Sequence, residues 1–279
     1  MRSVLLLSMC LASFSQAQEV PYFVTYSHHL EEPGSLEVES KLATGRPSVS
    51  NRFFGNSEEF EYGVTAWWTT EIYVDFSGAS GEGTVPGGFR FENRVRPLMR
   101  EHWINPVLYA EFESINGADK SLLEVVGHDG AGDVRATLAE GRQEKKHEAE
   151  LKVILSTDTR GWNLSENLIF EKNLNHSPWE FGYAVAASRP LLLAGTAHRC
   201  TFCLRTLNAG LEMYGGLGDT DHPGLHNTSH YAGPVAGWQI PGGPRLSAGA
   251  GFGVNQFSLP SIFRVGLAYD VGQLRRESR

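Results

Sequence analysis

The sequence predicts an all-β chain, a transmembrane antiparallel up-and-down β-barrel of about twelve strands over residues 34–271. Three observations predict it. Apolar and polar residues alternate in segment after segment. The connections between segments alternate between short and long, and most tryptophans fall at one end of the segments. The last segment is the clearest: Phe263, Val265, Leu267, Tyr269 and Val271 occupy one face, and Arg264, Gly266, Ala268 and Asp270 the other. Successive strand side chains point to opposite faces, so this strand has one apolar and one polar side. A soluble sandwich would turn the apolar side to its core, whereas a membrane barrel turns it to lipid and the polar side to the lumen.

The other segments follow in order. Leu36, Val38 and Leu42 oppose Glu37, Glu39 and Lys41, and Phe60, Tyr62 and Val64 oppose Glu59, Glu61 and Thr65. Ile72, Val74 and Phe76 oppose Glu71, Tyr73 and Asp75; Phe89, Phe91 and Val95 oppose Arg90, Glu92, Arg94 and Arg96. Leu108, Ala110 and Phe112 oppose Tyr109, Glu111 and Glu113, and Ala149, Leu151, Val153 and Leu155 oppose Glu148, Glu150 and Lys152. Trp162, Leu164, Leu168 and Phe170 oppose Asn163, Asn167 and Glu171; Trp179, Phe181, Tyr183 and Val185 oppose Glu180, Gly182 and Ala184. Leu207, Ala209, Leu211 and Met213 oppose Asn208, Gly210 and Glu212, and Leu246, Ala248, Ala250 and Phe252 oppose Arg245, Ser247, Gly249 and Gly251. Residues 230–240 read as a strand of unassigned facing. Most segments approach the roughly 9–11 residues that a tilted membrane strand needs. Asn93, Ser40 and above all Glu166 stand on faces that are otherwise apolar, and Glu166 calls for a bulge or a pairing partner.

With the N-terminus in the periplasm, the connections on that side are 66–69, 97–105, 158–161, 189–200 and 241–243. The outer side receives 45–57, 78–86, 116–146, 173–177, 215–228 and 255–260, most of them longer, as in membrane barrels. Trp67, Trp68, Trp103, Trp162 and Trp238 fall at the short-turn end, where amphipathic rings meet a bilayer interface, and Trp179 at the other.

Of the 279 residues 41% are hydrophobic, with 31 Gly and 15 Phe, which excludes a disordered chain. No apolar run after the N-terminus is long enough for a transmembrane helix. Residues 1–17 read as a cleaved signal peptide: Met1-Arg2-Ser3, an apolar run from Val4 to Phe14, then Ser15-Gln16-Ala17. Residues 18–33 read as an N-terminal periplasmic segment containing the apolar Tyr22–Tyr26 and the pair His28-His29, and residues 272–279 as a polar tail. The formal net charge is −8 and loses one further positive charge with Arg2, which argues against nucleic acid as a partner. Cys200 and Cys203 form a lone C-x-x-C, read as a local disulfide or two thiols.

Arg264-x-Gly266-x-x-Tyr269-x-Val271 resembles the C-terminal signal that Gram-negative outer-membrane barrels present to their assembly machinery; Val271 replaces the usual final aromatic, and a tail follows. The blocks Phe60-Glu61-Tyr62-Gly63-Val64-Thr65 and His230-Tyr231-Ala232-Gly233-Pro234-Val235-Ala236-Gly237-Trp238 are similar to those of porin-like outer-membrane proteins, some of them labelled transporters of the phenol-degradation type. The resemblance implies a bacterial outer-membrane location, with membrane lipids, the barrel-assembly machinery and small solutes as partners.

The proposed lumen face carries the candidates for selectivity: Glu61, Glu71, Asp75, Arg90, Glu92, Arg94, Glu111, Glu113, Glu150, Lys152, Glu212, Arg245 and Arg264. They fit a cation-favouring channel for small solutes, with a non-conducting structural or adhesive barrel plugged by its own salt bridges as the alternative. Asp221, His222, His226 and His230 read as part of a solvated polar loop, with metal capture the alternative. No cofactor is expected, and no enzyme: Ser229 and His230 are adjacent and point to opposite faces, so they cannot pair as nucleophile and base. Gly249-x-Gly251-x-Gly253 alternates within a strand and is read as making room for side chains across the lumen.

Overall fold

The protein is described by a computed structural model that covers residues 20–45, 52–121, 125–129, 137–175, 178–192 and 206–273. Residues 1–19, which include the expected signal peptide, Cys200 and Cys203, and the tail beyond 273 lie outside the described residues. Twelve strands form one closed antiparallel barrel in simple meander order. They are β1 (Ser35–Gly45), β2 (Phe53–Thr65), β3 (Trp68–Ala79), β4 (Gly83–Val95), β5 (Asn105–Asn116), β6 (Lys145–Thr159), β7 (Trp162–Asn173), β8 (Glu180–Pro190), β9 (Leu207–Asp219), β10 (His230–Gln239), β11 (Arg245–Gly253) and β12 (Ser261–Gln273). A short helix, α1 (Leu138–Gly141), lies between β5 and β6. Closure is made by β12 on β1, with Val265 opposite Leu42 and Tyr269 opposite Val38.

The polarity is inverted relative to a water-soluble sandwich. Ile72, Phe91, Leu108, Leu151, Leu211 and Val265 are exposed on the outer surface, while Glu71, Asp75, Arg90, Glu92, Glu150 and Lys152 are buried inside. An enclosed charged interior and an apolar exterior are stable together when the exterior meets hydrocarbon and closure leaves no strand edge unpaired.

Several strands extend further than alternation indicates. The expected loops 45–57, 78–86 and 215–228 shrink because β2 starts at Phe53, β3 and β4 meet in a hairpin across residues 80–82, and β9 runs to Asp219. Beyond the hydrocarbon both strand faces are wet, so pairing continues there without alternation to mark it. The long-loop asymmetry then rests chiefly on residues 117–144. At the opposite end Arg160 (φ 51°) and Gly161 (φ 79°) form a two-residue turn of the kind favoured in tight hairpins.

Two of the polar exceptions find partners: the Trp68 indole donates to Asn93 Oδ1 at 2.9 Å, and Ser40 Oγ donates to Glu58 Oε1 at 2.8 Å. Glu166 does face outward, opposite Leu155 and Val185, and neither pairing contains the expected bulge. We have no physical account of its position. The facing of β10 is settled: Tyr231 and Val235 are buried inside, and Pro234 and Ala236 are exposed.

Candidate functional site: the filled barrel interior

The selectivity candidates face inward, where alternation places them, and they are linked. Arg94 pairs with Glu61 at 2.6 Å, with Glu92 at 3.1 Å, and with Glu71. Arg90 grips Asp75 with two bonds of 2.8 Å and has Glu111 at 3.6 Å. Lys152 pairs with Glu150 at 2.8 Å, Arg245 with Glu37 at 2.8 Å, and Lys41 with Glu59. Tyr73 donates to Glu92 at 2.8 Å while Arg90 lies 4.4 Å from its ring centroid. Arg264 stands over the Tyr214 ring at 5.0 Å, and Glu113 and Glu212 are buried. Charges taken out of water this fully hold only when paired and hydrogen-bonded. Pairing of this kind follows from strand register: Glu71 lies opposite Glu92, and Glu61 opposite Glu71, so a cation reaching from Arg94 meets three acids at once.

The segment expected to lie in the periplasm runs inside the barrel from residue 20 onward. Tyr22, Phe23, Val24, Thr25, Ser27 and His28 are all buried. Glu212 on β9 receives the backbone N–H groups of Phe23 at 3.1 Å, Val24 at 2.8 Å and Thr25 at 2.8 Å. Asn167 on β7 accepts from the Tyr26 N–H at 2.6 Å and returns a bond to its carbonyl at 3.0 Å. The Tyr26 hydroxyl reaches Glu92 at 3.0 Å across the lumen. A segment without secondary structure would leave its amides unsatisfied in such a place; wall side chains take the role of a neighbouring strand. Gly249 makes room for the Phe23 ring, since a Cβ there would lie 2.9 Å from it.

Described residues of the connection between β5 and β6, 117–121 and 125–129, pack against the wall at the other end. Ser77 Oγ accepts the Lys120 N–H at 2.8 Å and donates to Asp119 at 3.3 Å, and the Gly127 N–H donates to the Phe181 carbonyl at 2.9 Å. A Cβ on Gly55 would fall 2.1 Å from the Lys120 carbonyl oxygen, so the loop seats directly on bare backbone. Tyr22, Phe23, Val125, Val126, Ile169, Tyr214, Tyr231 and Leu259 form an apolar cluster inside the barrel. The lumen therefore has a charged side around β2 to β6 and a more apolar side around β7 to β12. The space left beside Phe23, Glu212 and Arg264 is about 10 Å³, scarcely one water molecule.

His28 and His29 meet the wall near the short-turn end. Burial and the neighbouring His29 hold the His28 imidazole down to about 4. Among the described residues, His28, His29 and Asp158 form one converging set of metal-ligating groups and Glu59, Glu61 and Glu71 another. The loop candidates do not converge: Asp221, His222 and His226 are exposed, whereas His230 is buried between Tyr183 at 3.1 Å and Thr228 at 2.9 Å. Ser229 Oγ donates to the Phe257 carbonyl and Ser258 Oγ to the His230 carbonyl, each at a main-chain acceptor. Sequence reasoning misses the inserted segment. Its one signal is an apolar run, Tyr22–Tyr26, too short and too isolated to be a strand of the wall.

No family model matches the chain, and no curated protein matches it. Among solved structures, the COG4313 outer membrane channel from Pseudomonas putida F1 aligns with a TM-score of 0.51 at 11% identity, over 87% of this chain and 97% of that one. The translocator domain of autotransporter NalP from Neisseria meningitidis aligns with a TM-score of 0.41 at 13% identity, over 86% and 90%. LpxR from Salmonella typhimurium gives 0.40 at 10% identity, over 84% and 99%. At these identities the likeness is one of fold: the chain has the fold of bacterial outer-membrane β-barrel proteins.

Proposed function

We propose that this chain is a bacterial outer-membrane channel for small polar solutes whose path is closed, in this conformation, by its own N-terminal segment. The observation that carries this reading is the Glu212 carboxylate, which holds three consecutive amides of that segment. The plug is fastened by hydrogen bonds to side chains of the wall, and such bonds exchange with water when the segment leaves. What it would uncover is a lumen walled by ion-paired acids and bases, with acids in excess, a field that favours cations. Export through a cleaved signal peptide, folding by the barrel-assembly machinery from the signal around Arg264, Gly266, Tyr269 and Val271, and contact with membrane lipids belong to this reading. Catalysis does not.

The filled interior favours one second reading, a non-conducting barrel with a structural role. Planar-bilayer recording separates the two. Full-length protein should give rare, small openings, and a variant lacking residues 20–30 a steady, larger, cation-selective current. Zero current from that variant, with its insertion confirmed by heat-modifiable migration, would end the channel reading.

A further inference from the structure

We infer that His28, His29, Asp158 and Glu101 form a binding site for a divalent transition metal of the zinc type, which staples the inserted segment to the barrel rim. The four residues come from three places: the N-terminal segment, the end of β6, and the connection between β4 and β5. His28 Nε2 lies 3.2 Å from Glu101 Oε2 and 3.9 Å from Asp158 Oδ2, and His29 Nε2 lies 3.0 Å from Asp158 Oδ2. A tetrahedral zinc bound at about 2.0–2.2 Å holds its ligand atoms about 3.3–3.6 Å apart, and the three separations bracket that spacing.

The second observation is His28 itself. Its side chain is 0% exposed, and its Nε2 is buried without a hydrogen bond of acceptable geometry, aimed at the two carboxylates. The other polar atoms of His28, Asp158 and Glu101 are engaged elsewhere, which leaves their facing atoms to the site. His28 Nδ1 meets Ser156 Oγ at 2.8 Å, Asp158 Oδ1 accepts from Asn163 at 2.7 Å, and Glu101 Oε1 accepts from Arg96 at 2.5 Å. The Ser156 hydroxyl can accept from His28 Nδ1–H, the tautomer that presents the Nε2 lone pair to a metal, and a bonded carboxylate keeps its other oxygen in place. Ser156 is held in turn by Ser165 at 3.0 Å, so it acts here as an orienting group.

Two imidazoles with two carboxylates suit zinc and its neighbours, and they disfavour magnesium and calcium, which take oxygen. Three ligand atoms converge, from His28, His29 and Asp158, and the exposed Glu101 carboxylate beside His28 Nε2 would turn in as the fourth, which would leave no open position, the pattern of a structural site. Glu101 is 63% exposed and Asp158 48%, which gives an ion its way in from solvent. The alternative for these atoms is proton sharing alone, with each imidazole N–H bonded to a carboxylate.

The experiment is zinc titration of the folded, untagged protein in detergent, in competition with a chromophoric zinc indicator. Wild type should take up one equivalent. His29→Ala and Asp158→Asn should each weaken binding at least tenfold, with heat-modifiable migration kept as proof of folding. Zinc should also raise the unfolding temperature of wild type and leave that of the double variant unmoved. Equal uptake by wild type and the double variant, or less than one equivalent by wild type, overturns the site. Because the readout is affinity, the result is independent of whether the barrel conducts.

Discussion

Glu212 and Val24 lie 188 residues apart in the chain and 2.8 Å apart in the structure, with Glu212 Oε1 accepting the Val24 N–H. The same carboxylate also takes the N–H of Phe23 and of Thr25. Hydrogen bonds to a charged acceptor contribute about 1.5–3 kcal/mol. Glu212→Gln keeps the shape and removes the charge, so we expect the plug to be held about 2 kcal/mol less tightly, roughly a 30-fold rise in the open fraction. Open probability in single-channel recordings checks this. An unchanged value would mean that Glu212 does not hold the segment.

Arg94 is the shared cation of Glu61, Glu71 and Glu92. Removing one partner of a buried ion pair leaves the other charge uncompensated, at a cost of about 3–5 kcal/mol. Arg94→Ala should lower the urea midpoint accordingly, and Glu71→Gln added to it should restore part of the loss. In the variant lacking residues 20–30, Arg94→Ala or Glu111→Ala should also shift the reversal potential, in opposite directions.

Asp119 anchors the outer loop at the mouth. Burial raises its carboxyl above the ordinary aspartate range, and Asp75 nearby raises it further, against the pull of Arg90 and bonds from Ser121. A raised value in the folded state means that the seated loop binds the proton more tightly than the released one. The hold is therefore complete below the ordinary aspartate range and weakens as pH rises through the raised value. Amide exchange of residues 117–121, corrected for the intrinsic effect of pH, should quicken on going from acid to neutral pH in wild type, and should lose that dependence in Asp119→Asn.

Leu151 sits midway along β6, exposed on the outer face. If that face meets hydrocarbon, Leu151→Arg should destabilise the inserted barrel by about 2–4 kcal/mol, the usual cost of a cation near the bilayer midplane. In a water-soluble protein an exposed Leu→Arg change would be nearly neutral. Unfolding from lipid vesicles in urea distinguishes the two.

Much of the wall is legible in the order of residues, because alternation is a local property. Most strands declare their lipid face and their lumen face within a few residues, as in Phe263 to Val271, whereas β10 does not. Strand ends are less legible, as at Gly78–Pro86, where pairing outlasts the hydrocarbon and the pattern fades. Counting along β7 places Glu166 outside, as the structure does, and the bulge that would excuse it is absent.

The contents of the lumen are not legible in the same way. Phe23 meets Glu212 across 189 residues, and Tyr22 meets Asn163 across 141, and no spacing in the chain announces either. The inward acids and bases can be identified as a set, but which cation serves which acids depends on register and on reach across the barrel. The order of amino acids decides that this chain makes strands with one side for lipid and one for an interior, since that choice is settled residue by residue against solvent. Tertiary structure alone decides that the interior is occupied, and by what, since closure of β12 on β1 brings remote side chains within hydrogen-bonding distance of the same few amides.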